Sequence, residues 1–271
     1  MTDASPTIHH ASPGFPVAAA GLEKFGLKFT RGGAHISRTM MLTELDAVLT
    51  AVPGDSDAAE YREAILQRNV LVKNTDSTRQ KSLRHLRELY ALDEATPIFG
   101  LLRKLHAIDP ESLPQLAIQV AWARDPLLRA TTQPIMDAEE GERIETASLA
   151  EELERVFPRQ YADQTRHAIA RHAASSWTQS GHLVGRGKKI RQHIKPTIVA
   201  VTMAFFLGDL TGYHGAAVFS NPWCQLLDLN RERGKAMGLQ AHRAGLLNLR
   251  AVSEVVELSL PLFAEFQGQP S

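Results

Sequence analysis

The sequence predicts a mainly α protein. It comprises a helical N-terminal domain with helix-turn-helix character and a winged-helix-like C-terminal domain with a small β-hairpin. Three observations lead there. Apolar residues recur at three- and four-residue spacing along most of the 271 residues, the period of a core-facing helix. Near the C terminus the spacing changes to alternation, in "LLNLRAV" and "EVVELSL", as in paired strands. Between residues 134 and 155, eight acids oppose only Arg143 and Arg155, a composition shift that marks a boundary.

Taken in order, residues 1–20 are rich in Pro, Ala and Ser and read as a disordered tail. Residues 21–136 form the helical domain. Met41, Leu45, Val48 and Leu49 share one stripe of a helix over about 36–51. Ser56 or Asp57 can cap a second helix over 58–69, and Thr75 or Ser77 a third over 77–91. In the third, Leu83, Leu86 and Tyr90 share a side opposite Gln80, Lys81 and Arg84. Two more helices follow, "ATPIFGLLRKLHAI" and "ESLPQLAIQVAWAR". Residues 137–150 read as an acidic linker and 151–271 as the second domain. It holds the helices "SLAEELERVF" and "YADQTRHAIARHAASSW", a basic loop or hairpin "SGHLVGRGKKIRQHIKP", and a buried helix from Pro196. A short helix at 222–228, a turn near Asn230, a helix over 231–244 and the two alternating runs complete it. Helix, helix, turn, helix, hairpin is the winged helix-turn-helix order.

Composition narrows function. Thirty Lys and Arg balance thirty Asp and Glu, so no global positive field draws the chain to nucleic acid; such a role needs local segregation of charge. A single cysteine, Cys224, excludes a disulfide framework and fits a reducing cytoplasm. The first 20 residues lack the basic start and apolar run of a secretory signal. The longest apolar run, 198–208, is too short for a bilayer, which needs roughly 20 residues.

Charge does segregate locally. The third helix carries Arg79, Lys81, Arg84 and Arg87. The third helix of a helix-turn-helix enters the major groove, where Arg and Lys meet phosphates or guanine edges. A second cluster holds Arg186, Lys188, Lys189, Arg191 and Lys195 on a glycine-flanked loop. In the helix over 231–244, Arg231, Lys235, Gly238 and His242 share one face while Ala236 and Leu239 lie on another, a division into groove-facing and core-facing sides. The competing explanation is a set of solvated surfaces, or docking of the acidic 137–154 stretch on the basic second half.

Other chemistries find less support. A phosphate-binding P-loop fails because Gly181 is one residue too far from Gly187 and Lys189 stands at the Ser/Thr position. His167 and His172 are five apart, and neither HExxH nor a cysteine pair exists, so no metal or other cofactor is expected. There is no G-x-S-x-G, and Cys224 lies among apolar residues as a buried, inert thiol.

Several stretches together resemble the BrxA family of bacteriophage exclusion (BREX) systems. They are "FGLKFTRGGAHISRTMMLTELDAVL", an aromatic-Thr-Gly-Gly lead-in to a helix; the N-x-L-x-K-x-(S/T)-x-x-(S/T) pattern at Asn69, Leu71, Lys73, Thr75 and Thr78; and "LPQLAIQVAWARDPLLRATTQPIM". The likeness is clearest over about 25–136, and the second half is longer than is typical. The resemblance implies a mostly helical, cytoplasmic, non-catalytic protein of a phage-defence operon that binds double-stranded DNA. Two alternatives belong to other classes: an adaptor that assembles defence proteins, and an RNA-binding helical protein, which would prefer structured or single-stranded RNA.

Overall fold

The computed structural model describes residues 15–17, 19–252 and 255–266. Helix α1 (Ala19–Phe25) buries Leu22 and Phe25. Ahead of it, Phe15 stacks on Trp223 with ring centroids 5.2 Å apart and meets Trp122 edge-on at 6.4 Å. The predicted tail is therefore corrected from Phe15 onward. An aromatic ring with two indoles to pack against outweighs the tail-like composition around it. Residues 1–14, with His9 and His10, lie outside the described residues.

The first predicted helix begins late, at α2 (Leu42–Ala51). A 3-10 turn at Ala34–Ile36 and an extended stretch replace its first part, and Met41 adopts a left-handed conformation with φ 53°. Helices α3 (Ala58–Leu66) and α4 (Asp76–Tyr90) follow the capping signals. Asp57 accepts from the N–H groups of Ala59 and Glu60 at 2.9 and 3.0 Å, and Thr75 from that of Thr78 at 3.2 Å. Then come α5 (Pro97–Ile108), α6 (Leu113–Arg124), α7 (Pro126–Ala130) and α8 (Thr132–Met136).

In the second half, β1 (Arg143–Ile144), α9 (Thr146–Val156), α10 (Asp163–Gln179), β2 (Leu183–Val184) and β3 (Lys189–Arg191) precede the apolar α11 (Ile198–Leu210). The strands make an antiparallel sheet in the order β1-β3-β2, with Arg143 opposite Ile190 and Leu183 opposite Arg191. This corrects the linker reading of 137–150. β1 is hydrogen-bonded into the sheet, Ala138, Ile144, Leu149 and Ala150 are buried, and one apolar core continues across the predicted boundary. The acids there sit on the exposed side of a chain that folds with its neighbours. The last part matches its predicted order closely: α12 (Pro222–Leu226), the cap residue Asn230, α13 (Arg231–Arg243), and the antiparallel pair β4 (Asn248–Val252) and β5 (Val255–Ser259). No helix among the described residues is long and apolar enough to cross a membrane.

The two halves are fastened by three buried side chains. His35 Nδ1 lies 2.7 Å from Asp125 Oδ2, and His35 Nε2 lies 2.8 Å from Ser176 Oγ. Asp125 also accepts the His35 backbone N–H at 3.1 Å, and its other oxygen caps α7 at Leu127 and Leu128. Ser176 Oγ accepts from the Met40 N–H at 2.8 Å and donates to the His172 carbonyl at 3.1 Å. Burial pushes the Asp125 carboxyl upward, but the charge and hydrogen bonds of His35 outweigh it and hold the carboxyl below its usual range. The order Asp–His–Ser has the look of a nucleophile triad. All three residues are buried, with no exposed face from which a substrate could reach the serine, and they tie the Ala34–Ile36 turn to α7 and α10. Around it, Gln179 accepts from the Leu42 N–H at 3.1 Å and Tyr90 donates to the Met40 carbonyl at 2.5 Å.

Replacing His35 by Ala strands a buried carboxylate, and denaturant unfolding is expected to show a loss of about 3–5 kcal/mol; a loss below about 1 kcal/mol would contradict this role. A second buried ring gives an acid-stability signature. His182 donates from Nε2 to the Leu226 carbonyl at 2.7 Å, and burial holds its pKa down to about 4. The unfolded chain therefore takes up this proton first as pH falls from about 6.5, and stability drops toward pH 4 by roughly 3 kcal/mol from this residue. Unfolding curves measured across that window, with His182→Gln flattening the slope, check it.

Candidate nucleic-acid interface

Helix α4 is amphipathic as its spacing predicts. Ser82, Leu83, His85, Leu86, Leu89 and Tyr90 are buried, and Lys81, Arg84 and Arg87 are exposed. No carboxylate among the described residues lies within ion-pair distance of those three cations. Arg79 differs: it is paired with Asp76 in the first turn, so its charge is already matched locally. The loop before α4 explains the pattern at Asn69, Leu71, Lys73, Thr75 and Thr78. Asn69 closes the loop by accepting from the Lys73 N–H at 2.9 Å and donating to its carbonyl at 3.1 Å. Leu71 is buried, and Lys73 pairs with Glu44 at 2.9 Å. These residues shape the turn that aims α4.

The basic loop is a tight hairpin. Gly185 sits at its turn with φ +94°, where a side chain would strike the Lys188 carbonyl. Arg186 and Lys188 at the tip and Lys195 beyond β3 are exposed. Lys189 folds back, donating to Thr178 Oγ1 and the Gly185 carbonyl, each at 2.9 Å. Arg191 must be removed from the predicted contact set. Its side chain is 1% exposed and grips Asp228, with Nη1 3.3 Å from Oδ2, while also donating to the Gln192 carbonyl at 2.6 Å. β3 is the middle strand and turns this arginine inward, where a buried carboxylate matches it.

Helix α13 is rotated from its predicted orientation. Gly234, Gly238 and Ala241 are its buried side, with Gly234 against the Phe219 backbone and Gly238 against the Phe205 ring, so close that a Cβ at either would clash. Gly238 thus leaves the groove-facing group, and Ala236 is exposed. Small residues mark the packed face here because the helix approaches so closely. Arg231 and Arg233 are exposed at the N-terminal turn and Lys235 is half-buried. Asp228 connects this turn to the hairpin: its side chain holds Arg191 and the Ile194 N–H at 2.9 Å, and its carbonyl accepts from Arg233 at 3.4 Å. On the strand pair, exposed Arg250 faces Glu257 across the ladder.

The cations therefore form two groups. One is the outer face of α4, whose helix packs on α3, α6 and the Ala34–Ile36 turn; the other joins the hairpin and the start of α13. The acidic stretch does not neutralise the first. Glu145 pairs with Arg143, Glu152 with Arg155, and Glu154 with Arg166. It does border the second, because β1 runs beside β3, and this makes the hairpin the weaker anion site. Cys224 is buried, and burial pushes its thiol pKa well up. A scan against protein-family models finds no match for this chain, and neither does a search of curated proteins.

Arg191→Ala is expected to destabilise the fold by about 3–5 kcal/mol by stranding Asp228. Thermal denaturation checks this; a variant as stable as the parent would return Arg191 to the surface set.

Proposed function

We propose that the chain is a non-catalytic double-stranded DNA-binding protein, in keeping with its resemblance to the phage-defence proteins of BREX systems. One observation carries the reading. The last helix of the α2–α3–α4 run presents Lys81, Arg84 and Arg87 outward, with no carboxylate among the described residues in ion-pair reach. A helix that buries one side and aims fixed, unmatched cations from the other fits phosphates along a groove. The winged-helix order of α11, α12, α13 and the β4–β5 hairpin, with Arg231 and Arg233 exposed at the start of α13, supports a second contact.

Each phosphate neutralised releases counterions, so log affinity falls with log salt by about 0.9 per contact. The triple variant Lys81→Ala, Arg84→Ala, Arg87→Ala alters exposed side chains and should leave stability within about 0.5 kcal/mol per site. Its duplex affinity is expected to fall at all sequences alike, with the salt slope reduced by about 2.7. Unchanged affinity would favour the adaptor reading, and better competition by single-stranded RNA than by duplex would favour the RNA reading.

A further inference from the structure

We propose that Ser37, Arg38, Arg84 and His85 form a phosphate-binding site where the extended 33–42 segment meets α4. This deepens the duplex-binding reading, on which it rests for the identity of its natural ligand. His85 is the floor. Its side chain is 6% exposed, and Nε2 lies 3.3 Å from both Ser37 Oγ and Arg84 Nη2. The two guanidinium groups come from different elements, Arg84 from the helix and Arg38 from the segment held by His35. Among the described residues the Arg38 guanidinium makes one hydrogen bond, to the carbonyl of Ser37 at 2.8 Å, and neither arginine has a carboxylate in ion-pair range.

The charges around His85 explain why this arrangement wants an anion. The groups facing it are Arg84 and Glu88 of its own helix and Arg38 of the segment. Burial, then the fields of Arg84 and Arg38, push its pKa down to about 4. The ring is thus neutral, and its one Nε2 lone pair can accept from Arg84, which leaves the Ser37 hydroxyl proton to turn toward a ligand. The proton then sits on Nδ1, which is buried without a partner, since Glu88 Oε2 at 3.6 Å is too far for a hydrogen bond. Two guanidinium groups therefore lie near an uncharged ring, Arg84 touching it and Arg38 carried by the residue after Ser37, with most of their five donors each uncommitted. A tetrahedral phosphate offers oxygens to both planes at once and to the serine hydroxyl, with charge-assisted hydrogen bonds to each arginine. A planar carboxylate satisfies one fork only.

The test uses the full chain with isotope-labelled histidines, followed by NMR through the His85 ring signals. Inorganic phosphate is titrated at pH 7 against chloride of equal ionic strength. The expected result is a saturable His85 shift with phosphate alone, weakened at least 10-fold in Arg38→Ala and in Arg84→Ala, partly restored in Arg38→Lys, and unchanged in Arg143→Ala. Absence of a shift, or an equal shift in Arg38→Ala, would overturn the site. Duplex binding is measured on the same proteins. A phosphate response without duplex binding would uphold the site and remove the DNA reading. Duplex binding at full strength by Arg38→Ala, with no His85 response, would remove the site and leave the DNA reading standing.

Discussion

The fold depends on one buried histidine–aspartate contact and the hydroxyl that completes it. His35 reaches Asp125 with one ring nitrogen and Ser176 with the other, and these partners stand 90 and 141 residues away in the chain. Taking a carboxylate out of water costs several kcal/mol unless its oxygens are satisfied. Here Asp125 accepts from the ring and backbone of His35 and from two N–H groups at the start of α7, and Gly33 lets the backbone come against it. The consequence is positional. The segment 33–42 cannot extend α2 backward, Met41 is forced left-handed, and Ser37 and Arg38 are delivered beside α4. Helix α10 becomes part of the wall against which the first three-helix run is built.

Formal neutrality conceals how the arginines are divided. Some serve the interior. Arg103 donates to the carbonyls of Leu49 and Val52 at 2.6 and 2.8 Å, closing the end of α2; Arg129 holds the Trp122 carbonyl at 2.7 Å. Burial lowers the pKa of both Arg124 and Arg129 to about 10, which still leaves them charged at neutral pH. Arg191 belongs with these. The acids are likewise spent locally, as in the pairs of 143–166. What is left among the described residues is a local surplus of exposed cations on α4 and at the hairpin tip. Local surplus, and not total charge, is the quantity that matters for meeting phosphate.

Much of this was legible in the residues. Cap residues marked the start of α3 and α4, because a side-chain acceptor just before a helical run can take up its first free N–H groups, and a turn near Asn230 marked the start of α13. The alternation of "LLNLRAV" and "EVVELSL" is the β4–β5 ladder. Long-range partners were not legible. Nothing near Arg191 in sequence announces Asp228, so a buried arginine and a groove-reaching one look alike. Nothing near Phe15 announces Trp223. In α13 the apolar count pointed to Ala236 and Leu239; Leu239 does pack against the core, but Ala236 is exposed and the tightest contacts are at glycines, because close approach selects for absent side chains. The approach of Ser37 to His85 likewise follows from tertiary contacts that periodicity does not encode.

Whether the exposed cations meet a double helix is measured most directly by the affinity of the purified chain for duplex DNA over a range of salt. A linear fall of log affinity with log salt, with a slope of about −2.7 or steeper, is the result expected if Lys81, Arg84 and Arg87 each neutralise a phosphate. A slope near zero, or no duplex binding at low salt, would contradict it.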